Sequence, residues 1–212
     1  MQRYHYRAQC RDGIDPEAYF RGALPVLRAR MEEYGVRQLS LFRSGVRLFL
    51  YYESLTKQAD PHVLFSHCEA ALEAWPGEDM PRSWVPMTDI FHYQQPVSEE
   101  HWRRRDPETK PYARIAKLKP EQAASYIFYH YQYQEEKPGD GDKYGIIALH
   151  ENLMFFYSEA PASVEPPPYK GKLSTSSTPP DWMSVMEPHF IKWDEETERS
   201  LIWLEIPLVI QA

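Results

Sequence analysis

Leu48-Phe49-Leu50-Tyr51-Tyr52-Glu53 and Met154-Phe155-Phe156-Tyr157-Ser158-Glu159 spell nearly the same strand twice in one chain. Each closes a hairpin. Val36 to Phe42 leads into Val46 to Tyr52 through Arg43-Ser44-Gly45, and Tyr144 to His150 leads into Leu153 to Ser158 through Glu151-Asn152. Apolar, aromatic-rich runs separated by such short polar turns predict paired antiparallel strands.

Outward from the two hairpins, the same order of elements recurs. Residues 3–10 alternate, with Tyr4, Tyr6, Ala8 and Cys10 against Arg3, His5, Arg7 and Gln9, which predicts a first strand. Asp15 is an N-cap candidate with Pro16 at the first helical position. Phe20, Leu24, Leu27, Met31 and Tyr34 line one face of that helix, Pro25 is a kink point and Gly35 a stop. Asp60-Pro61 opens a second helix that keeps Leu64, Cys68, Ala71, Leu72 and Trp75 at helical spacing, and Val85 to Tyr93 supplies a fourth strand. Residues 95–111, charged and proline-containing, read as a linker. The second half repeats the order: strand Tyr112–Lys117, helix Pro120–Glu136, the hairpin, a helix near Asp181–Glu187 and a final strand, Leu201–Ile210. The pattern predicts an α+β chain of two ferredoxin-like β-α-β-β-α-β repeats, residues 1–106 and 107–212.

Composition excludes several functions. A net charge of −7 and a pI near 5.6 argue against a nucleic-acid partner. The basic run Arg103-Arg104-Arg105 sits among Glu99, Glu100 and Asp106, so it reads as solvated linker. No apolar run approaches the roughly 20 residues that span a bilayer, and Met1 to Tyr6 lacks the apolar segment of a signal peptide. Cys10 and Cys68 show no CxxC or metal-site spacing, and two thiols fit a cytoplasmic protein. The eight histidines have no HxH or HExxH spacing, so no metal is expected. Fifteen tyrosines and six tryptophans suit either a β-rich core or a sugar cleft.

Chemistry concentrates in the helix that Pro120 opens. Ala123, Ala124, Ile127 and Tyr131 form an apolar stripe expected to face a sheet, with Phe128 at its far edge. Tyr126 and His130, four residues apart, then share a flank beside the core. An imidazole there is an acid or base candidate, because its ordinary pKa lies near neutrality at about 6.5.

The strand, Pro120, Tyr126 and His130 together resemble the L-rhamnose mutarotase family, as do Trp182 and Met186 further on. The resemblance implies the dimeric α/β-barrel architecture within one polypeptide, acting as a monomer with an internal pseudo-dimer or as a homodimer. It also implies interconversion of sugar anomers without a cofactor. His130 and Tyr126 would be catalytic, and Trp182 and Asp181 would contact a small sugar. Met183 stands where the family has a second tryptophan, and Ala23 stands at the histidine position of the first repeat, so any single site belongs to the second. Paired ferredoxin-like units also build haem-binding proteins and cofactor-independent oxygenases, and a non-catalytic binding module is a further alternative. The long stretch 160–180 is either a lid over the cleft near His130 or a polyproline spacer or flexible surface loop.

Overall fold

Two antiparallel sheets form from the strand runs, in a computed structural model that describes residues 1–55, 59–77, 79–193 and 202–212. The chain is mixed α+β, consistent with ferredoxin-like architecture. It divides into one unit of residues 1–87 with 206–212 and a second of residues 88–205.

In the first unit the sheet order is β11 (Leu208–Gln211), β2 (Val36–Ser44), β3 (Arg47–Ser54), β1 (Gln2–Gln9) and β4 (Val85–Pro86). Gly45, at φ 60°, makes the tight turn between β2 and β3. Asp15 caps α1 (Pro16–Gly22) by accepting from the Glu17 backbone N–H. The expected kink falls where α1 gives way to α2 (Leu24–Tyr34), because Pro25 supplies no N–H to continue the ladder. Gly35 ends α2 in the left-handed conformation, φ 71°. Phe20 and Leu27, both fully buried, pack with Leu41, Leu50, Phe65 and Trp84 into a filled core.

The second helix expected in this half is only one turn, α3 (Pro61–Leu64), followed by a 3-10 segment, Ser66–Ala71. The four-residue spacing of Leu64, Cys68 and Leu72 buries all three without a continuous helix. Trp75 lies beyond it, bridged to Arg82.

Both expected last strands are split. Val85–Pro86 pairs with β1, whereas β5 (Thr88–His92) joins the sheet of the second unit. Likewise β10 (Leu204–Glu205) pairs with β6 (Lys110–Leu118) of the second unit, and Leu208–Gln211 pairs with β2. Residue 201, where the second of these strands was expected to start, lies outside the described residues. A proline that cannot donate to a ladder stands at each break, Pro86 and Pro207. The chain therefore changes units at 87/88 and 205/206, and the division expected at 106/107 lies inside the second unit. Nor is the whole stretch 95–111 solvated. Ser98 caps a helical turn, α4 (Glu99–Trp102), whose Trp102 is 1% exposed. Arg104 pairs at 2.6 Å with Glu159, itself buried.

The second sheet runs β10, β6, β8 (Leu153–Ala160), β7 (Ile146–His150) and β5, with β9 (Phe190–Ile191) also on β6. Helix α5 (Ala123–Glu136) follows a 3-10 turn begun by Pro120. Its orientation corrects the sequence reading. Tyr126 and His130 face the core with Tyr129 and Tyr133 packed beside them, while Phe128 is 61% and Tyr131 42% exposed and Ala124 is exposed too. Residues 126, 129, 130 and 133 also fall at i, i+3, i+4 and i+7, so two apolar stripes compete on one helix. The aromatic stripe wins because large rings bury more area than alanines do.

The buried face makes a test. Tyr126→Ala should cost about 3 kcal/mol or more, as for other buried aromatics, whereas Phe128→Ser should stay within about 0.5 kcal/mol. Urea midpoints of the two variants against wild type read the difference.

Candidate functional site

A cavity of about 420 Å³ opens in the second unit, walled by α5, by α6 (Trp182–Met186) and by one face of the sheet. Helix α6 brings Trp182 to it because Asp181 caps that helix, its carboxylate accepting from the Ser184 N–H (3.3 Å) and hydroxyl (2.6 Å). Exposed Met183 and Glu187 mark the mouth.

Three of the four residues singled out in the sequence converge here. Tyr126 and His130 stack with ring centroids 3.9 Å apart, and Trp182 stands against His130 at 4.9 Å and 70°. All three line the cavity. Asp181 is exposed, committed to its cap, and outside the lining.

His130 is 5% exposed, and its Nδ1 lies 2.9 Å from the Tyr126 carbonyl oxygen one turn back. A carbonyl only accepts, so the contact assigns the proton to Nδ1 and leaves Nε2 as a lone pair. Nε2 bonds to none of the described residues. Burial lowers the pKa of this imidazole to about 4; the Tyr126 carbonyl opposes the shift and His189 adds to it. The ring is thus a neutral acceptor at neutral pH. Burial pushes the Tyr126 phenol far up, with a smaller contribution from Tyr93, so it stays protonated. Its hydroxyl has no partner among the described residues.

Other wall residues escaped the sequence reading. Phe91 meets His130 at 5.1 Å, and Tyr133 meets Trp182 at 4.9 Å. Arg114, Phe156 and Trp203 complete the far side. Tyr133 was within reach, lying seven residues after Tyr126 on the same helix face. Arg114 had a signal as well: with Ala116 and Leu118 it occupies every second position along β6 and so shares their core-facing side.

Residues 160–180 contribute nothing to the cavity lining. They are fastened instead along the end of α5. Glu136 accepts from Thr175 Oγ1 (2.5 Å), Ser177 N (2.9 Å) and both N and Oγ1 of Thr178 (2.8 and 2.5 Å). Burial pushes its pKa upward, but those hydrogen bonds outweigh it and hold the carboxyl down at about 2. Further back, Glu135 accepts from Lys172 N (2.8 Å), and Glu165 pairs at 2.6 Å with Lys143, whose side chain is 2% exposed.

Among the described residues, no group of three or more His, Cys, Asp or Glu could hold a metal ion, and no helix is long and apolar enough to cross a membrane.

No protein-family profile and no curated protein matches the chain. Solved structures do. One from Lactobacillus acidophilus has a TM-score of 0.50 at 6% identity, covering 100% of this chain and 96% of that one. Another, from Fusobacterium nucleatum subsp. nucleatum, has a TM-score of 0.46 at 10% identity, covering 99% and 92%. Both are described as a "putative monooxygenase". At such identities the likeness is one of fold alone.

These findings overturn the expected sugar mutarotase. Its family gains no support from any comparison, and the Lactobacillus acidophilus structure carries an oxygenase description instead.

The buried imidazole also couples stability to pH. In the unfolded chain it titrates near the ordinary value of about 6.5, so between that pH and about 4 the unfolded state binds the extra proton. Stability is therefore lost as pH falls through this window. Between pH 7 and pH 5 the wild type should lose about 2 kcal/mol more than His130→Gln. Urea unfolding of both proteins at the two pH values measures it.

Proposed function

We propose that the chain is an oxygenase-type protein of the dimeric α/β-barrel class, built from two ferredoxin-like repeats, with one small-molecule site in its second unit. The repeats are supported by the Tyr–Glu pair that ends the matching strands. Tyr51 donates to Glu53 at 2.5 Å, and Tyr157 donates to Glu159 at 2.9 Å. A site in the second unit fits the packing, since Phe20, Phe65 and Trp84 pack into the first unit's core and Ala23 offers no imidazole there.

One observation carries the functional reading: an aromatic-walled cavity into which a single neutral imidazole presents a free lone pair. Its volume lies within the range of about 300–1,000 Å³ usual for small-ligand sites. Such walls suit a flat aromatic molecule and exclude water from its reaction with O2. An activated aromatic methylene can react without a cofactor. It loses a proton, and its carbanion delivers electrons to O2. One oxygen atom enters the product as a carbonyl and the other leaves as water, so methylene plus O2 gives carbonyl plus water with no outside reductant. His130 Nε2 accepts the acidic proton or its hydrogen bond. The Tyr126 hydroxyl donates to the developing oxyanion.

Haem fits poorly. The described lining residues hold one cation, Arg114, in about 420 Å³, a match for a few fused rings rather than for a macrocycle with two carboxylates.

The test uses an oxygen electrode with anthrone and a panel of fused-ring phenols, followed by mass spectrometry under ¹⁸O2. Wild type should take up O2 and place one labelled atom in the product, with the rate falling roughly 10²-fold in His130→Ala. Absence of uptake above background across the panel would overturn the oxygenase reading.

A further inference from the structure

Arg114 is an unusual residue to find in the wall of an aromatic cavity. It sits mid-strand in β6 with its guanidinium over three rings: 5.1 Å from the centroid of Tyr112, 5.3 Å from Phe156 and 6.0 Å from Trp203. The rings attract the cation and hold its plane. They do not satisfy its donors. Arg114 Nε is buried without a hydrogen-bond partner, and no described carboxylate pairs with the guanidinium. The two terminal nitrogens are likewise unbonded among the described residues, yet they are not sealed as Nε is. The planar end of the fork is therefore the part that a molecule in the cavity can reach.

Arg114 is half-buried, and its Nε loses water without gaining a partner, which is costly, while exposed Glu205, opposite it in the β6–β10 pair, makes no ion pair with the fork. An apolar strand face would normally carry Leu or Val at this position. Arg114 is the only cation among the described lining residues, and the single carboxylate of the lining, Glu187, is exposed at the mouth. An arginine fork matches the two oxygens of a carboxylate in one plane. Phe156 and Trp203, which hold the cation, also line the cavity and offer surfaces for a flat ring.

We propose that the cavity selects a planar aromatic carboxylate, its anionic end bound end-on by Arg114 and its ring stacked among the wall aromatics. This rests on the reading of the cavity as an aromatic-ligand site and adds the charge of the ligand to it. The carboxylate is an anchor and takes no part in bond making. A hydroxyl or acidic C–H elsewhere on the same ring system is then free to meet His130 Nε2.

The experiment titrates the full chain with 2-naphthoate and with its neutral isostere 2-naphthamide, following intrinsic tryptophan fluorescence and calorimetry. The same titrations are made on Arg114→Met and Arg114→Lys. Wild type should bind naphthoate at least tenfold more tightly than naphthamide. Arg114→Met should lose that preference while keeping its affinity for naphthamide, which also shows that the variant is folded. Arg114→Lys should keep part of the preference, since a point charge replaces the fork. Equal affinities in wild type, or a preference that survives in Arg114→Met, would overturn the anion anchor and leave the aromatic site standing. Failure of both probes to bind wild type at millimolar concentration would overturn the aromatic site itself.

Discussion

One hydrogen bond, from His130 Nδ1 to the Tyr126 carbonyl a turn earlier, governs the chemistry of the second unit. It satisfies the donor side of a buried imidazole within its own helix, so no carboxylate is needed to orient the ring. Without a carboxylate, burial dominates, and the ring stays neutral at neutral pH. The same bond keeps the imidazole flat on the Tyr126 ring at 3.9 Å. Phe91 and Trp182 can then close on its edges while its lone pair remains unclaimed. Position and availability of the ring thus have one local cause, while burial sets its protonation state.

Much of this architecture was legible in the sequence, and what was missed has definable physical causes. Caps, kinks and hairpins are local events: Asp15, Pro25, Gly35 and Gly45 each act within a turn of their own position. Strand identity was therefore readable, whereas the sheet to which a strand belongs was not. Nothing within Val85–His92 announces that its two ends pair with different partners, except a proline, which reads equally well as a trimmed end. The face of α5 was misread for a related reason. Counting apolar residues favours Ala123, Ala124 and Ile127, but burial follows area and shape, and the tyrosines with His130 carry more of both.

The candidate site divides along the same line. Tyr126, His130 and Trp182 were found because helical spacing and a motif brought them together, and the structure places all three on one cavity. Arg114 and Phe91 lie on β6 and β5, whose relation to α5 is tertiary. The long proline-rich stretch also took its meaning from distant partners. Glu135 and Glu136 at the end of α5 bind it through its backbone and hydroxyls, which makes it a strap along the helix rather than a cover for the cavity. That strap leads to Asp181 and so fixes where Trp182 begins its helix.

The crossing of the chain at Met87 and again at Ile206 bears on biosynthesis. Strand β11 lies at the edge of the first sheet, on β2, yet it is translated only after every residue of the second unit. On the ribosome the amino-terminal unit must wait with the outer edge of β2 unpaired until that late segment emerges. Such distant pairing slows folding and leaves a sticky strand on display in the interval. Arg37 and Arg43 flank the mostly apolar stretch Leu39–Phe42 that β11 covers, charges suited to discourage a neighbouring nascent chain from joining there.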